Sequence, residues 1–125
     1  IRIVASDNIT IDNVSVYRPD GGDEEAIQFG SAAIDTINNI TIRDFYAEDT
    51  NVAFLFSEEV TVNTISFTNV TADQTGIVFE VQNGAFDTEV NDPSGAITAT
   101  NFGSLCVNND VITGSTLKIN GADCP

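Results

Sequence analysis

A chain of 125 residues is long enough for one domain whose core removes somewhat over ~60% of the unfolded surface. Nineteen Asp and Glu stand against four Lys and Arg, a formal net charge of −15. Such a surface repels phosphate backbones and anionic lipid, so neither nucleic acid nor a membrane is an expected partner, while divalent cations and neutral glycans stay open.

The apolar residues are dominated by Ile, Val and Phe, which favour strands. No apolar run approaches the ~18 residues that a membrane-spanning helix needs. The chain opens on Ile1-Arg2-Ile3, read as the start of an earlier repeat in a processed or excised piece. Next comes NITIDNVSV at 8–16, which returns as NITIRDFYA at 39–47 and as TISFTNVTA at 64–72. Laid in register, Ile9, Ile40, Ile65 and Ile97 share a column. Ile11, Ile42, Phe67 and Ala99 share the next on the same side of a strand, and Val14, Phe45, Val70 and Phe102 a third. A second phrase lies between: Ala26-Ile27-Gln28-Phe29, Ala53-Phe54-Leu55-Phe56 and Gly76-Ile77-Val78-Phe79. It predicts one column of Phe29, Phe56 and Phe79, with Gln28, Leu55 and Val78 facing outward.

Asn13, Asp44, Asn69 and Asn101 occupy one position between two apolar columns. A sharp turn there asks for the left-handed conformation, which Asn and Asp tolerate best among non-glycine residues. Stacked at strand spacing, ~4.8 Å, their side chains can bond one another as a ladder. Residues 84–96 form an insertion rich in turn residues, and Leu117-Lys118-Ile119 before Asn120-Gly121 suggests a closing hairpin. No stretch sustains helical spacing, and an uneven period of 25 to 32 residues built from strands alone predicts an all-β solenoid. It is one domain, with repeated coils over 1–102 and a C-terminal cap over 103–125. The two cysteines, Cys106 and Cys124, either stay free or close the C-terminal end as a disulfide worth roughly 3 kcal/mol. The bridge is favoured, because a metal site would want more Cys or His and the chain has no His.

These turn asparagines and Ile and Phe stacks resemble the right-handed parallel β-helix proteins of the pectin-lyase-like superfamily. INNITIRDFYAEDTNVAFLF followed by ISFTNVTA is most similar to the later coils of polygalacturonase-like glycoside hydrolases. The resemblance implies a right-handed parallel β-helix of about four coils. It also implies a hydrolase with paired catalytic carboxylates, arriving in Asn-Thr-Asp and Asp-Asp pairs with Gly-His-Gly and Arg-Ile-Lys nearby. The chain departs from all four motifs, so no residue is carried over as catalytic. Arg43, one coil from Asp12, reads as half of an exposed ion pair.

Asp20, Asp23, Glu24 and Glu25, hinged on Gly21-Gly22, are a candidate calcium loop, although spacing and closing ligand do not fit an EF-hand and a solvated acidic loop is the simpler reading. Asn8, Asn13, Asn39 and Asn69 each begin an Asn-x-Ser/Thr sequon. An inward ladder amide could not take a glycan, which leaves Asn8 and Asn39 as glycosylation candidates. Thr10, Thr41, Ser66 and Thr98 make an outward hydroxyl rank, a possible glycan- or ice-binding face together with Tyr17 and Tyr46. The leading expectation is a secreted or cell-surface, non-catalytic solenoid module. It would act by assembly or display, its open ends taking copies of itself or the rest of a longer chain, with glycans as further partners. The alternative is the C-terminal segment of a secreted polysaccharide hydrolase or lyase.

Overall fold

The computed structural model describes residues 1–17, 25–30, 35–57, 60–62, 65–82, 88–90, 97–109, 117–119 and 122–123. These residues form strands and the bends between them. In chain order the strands are β1 (Arg2–Ile3), β2 (Ile9–Tyr17), β3 (Glu25–Phe29), β4 (Asp35–Ile37), β5 (Ile40–Glu48), β6 (Val52–Ser57) and β7 (Val60–Val62). They continue as β8 (Ile65–Asp73), β9 (Ile77–Gln82), β10 (Thr88–Val90), β11 (Ile97–Thr100), β12 (Ser104–Asn109), β13 (Leu117–Ile119) and β14 (Ala122–Asp123).

Equivalent strands of successive repeats lie side by side. A first sheet runs β1-β3-β6-β9-β12 and a second runs β2-β5-β8-β11, with every neighbouring pair parallel. β4 and β7 pair parallel as well, and β10 pairs parallel with β13, which turns back antiparallel to β14. The fold is all-β and built on parallel sheets. Parallel neighbours need a long return path, and here that path is the rest of the repeat.

The nine-residue strands of the second sheet bend in the middle. Asn13, Asp44 and Asn69 sit there at φ of 56°, 48° and 51°. The bend resets the alternation, so Ile40 and Ile42 point inward before it and Phe45 and Ala47 after it. Asn8 and Asn39 take the left-handed conformation just before this sheet, and Asp49, Gln74 and Asn101 take it just after. The short polar side chains of Asn and Asp at all of these positions but Gln74 lower the cost of turning.

The core joins the first and second sheets. Phe54 and Phe79 stack with centroids 5.3 Å apart, and Phe67 meets both edge-on. Phe29 stacks on Phe56 at 4.8 Å. The expected single column of Phe29, Phe56 and Phe79 therefore splits. Phe79 registers with Phe54 and Ile27, while Val81 continues the line of Phe29 and Phe56. The third phrase slides by two residues, which preserves the face of every side chain. The rank beside it becomes Gln28, Leu55 and Glu80, not Gln28, Leu55 and Val78, and it is buried. Strands β3, β6 and β9 are thus buried on both faces, as parallel sheets commonly are.

The fourth repeat also departs from expectation. Ile97 registers with Val70, Thr98 with Thr71 and Ala99 with Ala72, five residues from the predicted alignment with Ile65, Ser66 and Phe67. Small side chains stack on small ones, Ala47 on Ala72 on Ala99, which a Phe67–Ala99 pairing would not allow.

Thr50 and Thr75 stand on either side of one inter-repeat step, where the Gly76 amide donates to the Thr50 carbonyl. Both hydroxyls are buried and, among the described residues, have no hydrogen-bond partner. Thr75→Val keeps the shape and removes an unpaired polar atom, so the urea midpoint should hold or rise by up to about 1 kcal/mol of stability.

Candidate functional site

Three features of the molecule concentrate polar or exposed groups. The first is a set of side-chain ladders across the second sheet and its flanking bends. Asn38 Nδ2 donates to Asp7 Oδ1 at 2.9 Å and Asn39 Nδ2 to Asn8 Oδ1 at 3.0 Å. Asn69 Nδ2 donates to Asp44 Oδ1 at 2.7 Å, and Gln74 Nε2 reaches Glu48 Oε1 at 3.3 Å. Thr100 Oγ1 and Asn101 Nδ2 both donate to Asp73 Oδ1, at 2.7 and 2.9 Å. In every rung the later repeat donates and the earlier one accepts. Where the acceptor is Asp or Glu this sense is fixed, because an ionised carboxylate has only acceptors. Asn101, expected to stack on Asn69, instead stands at the bend after the second sheet and bonds Asp73, as the five-residue shift requires. Among the described residues, no side chain takes the Asn13 amide.

The sequon asparagines Asn8 and Asn39 are exposed, but they face each other as a rung, and Asn39 uses the Nδ2 that a glycan would occupy. The signal missed in the sequence is their place: each immediately precedes the same Ile-Thr-Ile phrase, so each marks a bend. The hydroxyl rank runs Thr10, Thr41 and Ser66, with Ser66 Oγ 3.4 Å from Thr41 Oγ1. Thr98 belongs to the neighbouring rank with Ser15, Tyr46 and Thr71.

Arg43 Nη2 meets Asp12 Oδ2 at 2.8 Å, with both side chains well exposed, and this bond raises the guanidinium pKa. The Tyr46 hydroxyl donates to Glu48 Oε2 at 2.9 Å, and that bond, then burial, pushes its pKa up. Asp73 is held below the ordinary carboxylate value, first by the Thr100 hydroxyl and then by the Asn101 amide. A depressed pKa in the folded state adds stability above the unfolded value, and this is lost as pH falls through the folded one. Thr100→Val should raise the Asp73 midpoint toward the ordinary carboxylate value, read from its Cγ chemical shift across an acid titration.

The second feature is a polar row on the first sheet, exposed at Arg2 and buried at Gln28, Ser57 and Glu80. Arg2 Nε donates to Gln28 Oε1 at 2.9 Å, and Gln28 Nε2 donates to Ser57 Oγ at 2.8 Å. Arg2 and Gln28 are in direct register, and Glu80 lies two strands further on beside Leu55. Glu80 is the one buried carboxylate among the described residues. The sequence reading passed over it because it took Val78 for that place.

The third feature is the edge where the first repeat lies. β2 ends the second sheet and β1 ends the first. Between them opens a groove of about 400 Å³ lined chiefly by Ile1, Ile3, Val4, Ile9 and Ile11, with Arg2 beside them. Ile9, Val14 and Val16 are only half-buried, whereas their counterparts Ile40, Phe45 and Ala47 are enclosed.

Of the calcium candidates, Asp20, Asp23 and Glu24 lie outside the described residues, and Glu25 opens β3 half-buried. No group of three His, Cys, Asp or Glu converges among the described residues. Cys106 lies on β12, packed against the core, and Cys124 lies outside the described residues. Comparison with protein-family models, curated proteins and solved structures finds no match for this chain.

Proposed function

We propose that the chain is a non-catalytic β-solenoid module, a right-handed parallel β-helix of about four coils, that works by end-on assembly at the cell surface or outside the cell. The observation that carries this is the open edge at the first repeat. There, nine residues of β2 have no strand on their outer side among the described residues, and the apolar groove lies beside them. An edge strand presents unpaired N–H and C=O groups and so invites another strand, from a second copy or from the rest of a longer chain. The parallel register of all four long repeats supports the solenoid, as does the resemblance of the turn asparagines to pectin-lyase-like proteins. A bridge from Cys106 to Cys124 would close the far end of such a solenoid and is read out by thiol titration with and without reductant.

Sedimentation of the purified chain over a wide concentration range tests the assembly. The average mass should rise with concentration, and a strictly monomeric chain would sink the reading. Release of oligosaccharides from pectin by this chain alone would instead favour the hydrolase alternative. A second reading, glycan association, rests on Tyr17. Tyr17 is 58% exposed and lies diagonally from Tyr46 on the same face. Aromatic platforms of this kind suit sugar rings.

A further inference from the structure

Beyond its mid-strand bend, the outward face of the second sheet carries a narrow range of chemistry. A rank across it, Ser15, Tyr46, Thr71 and Thr98, is hydroxyl throughout. The rank beside it sets Glu48 directly against Asp73, flanked by Tyr17 and Thr100. None of these residues is fully buried. The middle of the face, Tyr46, Glu48, Thr71 and Asp73, stands on β5 and β8, each paired on both sides. It therefore depends on neither end of the chain.

Like charges directly opposite each other on neighbouring strands are unfavourable. Glu48 and Asp73 hold that arrangement with neutral partners alone among the described residues. Glu48 accepts from Tyr46 and Gln74, and Asp73 accepts from Thr100 and Asn101. The Arg43–Asp12 ion pair of this sheet lies on the other side of the bend. Both carboxylates also act on the Tyr46 hydroxyl. The Glu48 hydrogen bond comes first, then burial, then the Glu48 and Asp73 charges, and together they raise its pKa.

A divalent ion is a poor match for this face. Ca²⁺ takes six to eight oxygens, and no three acidic side chains converge among the described residues. An ammonium group needs less, because one carboxylate gives it a charge-assisted hydrogen bond and a nearby aromatic ring attracts it further. The same tyrosine suits a sugar ring, and hydroxyls that both donate and accept suit sugar hydroxyls. We infer that this face takes a linear amino-sugar polymer lying across the strands, with sugar rings at Tyr46 and ammonium groups at Glu48 and Asp73. This rests on the glycan reading above and goes further by naming the class of sugar. Strands lie ~4.8 Å apart, close to the length of one sugar unit in an extended chain, so successive units meet successive repeats. A uronic-acid polymer would instead bring carboxylates against Glu48 and Asp73 in a chain of net charge −15.

Titration calorimetry with glucosamine, glucose and galacturonic acid oligosaccharides of equal length, at a pH that keeps the amines charged, tests this. The glucosamine chain should bind about tenfold more tightly than the glucose chain, the galacturonic acid chain should not bind, and added salt should narrow the gap. Asp73→Asn and Glu48→Gln, each checked for native circular dichroism and melting, should weaken glucosamine binding about two- to fivefold and leave glucose binding unchanged. Thr71→Lys sets a base between them and should abolish the preference for the amine. Asp7→Asn removes the same charge outside this face and should change nothing. Equal binding of the glucosamine and glucose chains would overturn the amino-sugar inference and leave glycan association standing. Equal weakening by Asp7→Asn and Asp73→Asn would overturn it too, because the attraction would then belong to the whole charge of the chain. Binding of none of the three would overturn both.

Discussion

Phe54→Ala should lower the free energy of unfolding by about 3–5 kcal/mol, the range for removing a buried aromatic ring. Phe54 is fully buried and lies where the two main sheets meet. Its ring stacks on Phe79 in the next repeat, meets the edge of Phe67 at 5.3 Å and tilts against Phe45 at 6.0 Å. Removing it empties one level and strips contacts from Phe79 in the next repeat and from Phe45 and Phe67 across the core. The surroundings cannot collapse freely, because each neighbour belongs to a strand fixed by pairing on both sides. Against a typical total of about 5–15 kcal/mol, such a loss leaves little stability. Urea denaturation followed by far-ultraviolet circular dichroism reads it out. Phe102→Ala, on a half-exposed residue, should stay within about 0.5 kcal/mol of the parent. Equal losses for the two would mean that the core is not where the two sheets meet.

Much of this arrangement was legible in the sequence, because the repeat writes its geometry into residue types. Ile9, Ile40 and Ile65 are neighbours across three strands, as are Asp12, Arg43 and Thr68. The polar residue between apolar columns marked the mid-strand bend correctly at Asn13, Asp44 and Asn69. The errors arose where alternation cannot tell one register from another. A slide of two residues leaves every side chain on its own face, so nothing in the pattern Ile77-Val78-Phe79-Glu80-Val81 forbade matching Phe79 to Phe56. The phrase Ile97-Thr98-Ala99-Thr100 alternates like either half of β8. The structure takes the second half, where Ala99 lies beside Ala72 and small stacks on small. The glycines agree, because Gly103 follows Gly76 by the same offset as Ala99 follows Ala72, and its amide donates to Thr75. The bend at Gln74 gave no sign in the sequence. Gln has no special preference for positive φ, yet its φ of 53° matches those of Asp49 and Asn101 at the same bend in the repeats on either side.

The same stacking makes Gly30 irreplaceable, and Gly30→Ala should destabilise the chain by about 3 kcal/mol or more. The residue leaves β3 at a φ of +95°, where a side chain strains the backbone by roughly 1–3 kcal/mol. Its amide donates to the Ile3 carbonyl at 2.9 Å, so the backbone is tied to the preceding repeat and cannot rotate away. The added methyl would drive into the Ser57 carbonyl of the next repeat and stand 2.9 Å from the Val60 Cβ. Neither can yield cheaply. The Ser57 obstacle is backbone, and Val60 is fully enclosed at the start of β7. Overpacking of this kind adds its own roughly 1–3 kcal/mol. Gly76→Ala separates the two causes, since its methyl would sit 2.7 Å from the Asn51 carbonyl but its φ is not positive. If crowding between repeats dominates, both substitutions lower the urea midpoint comparably; if backbone conformation dominates, Gly30→Ala is clearly the worse. A Gly30→Ala chain as stable as the parent would mean that β3 and β6 do not run through this point in successive repeats, and the stacking of the first sheet would have to be redrawn.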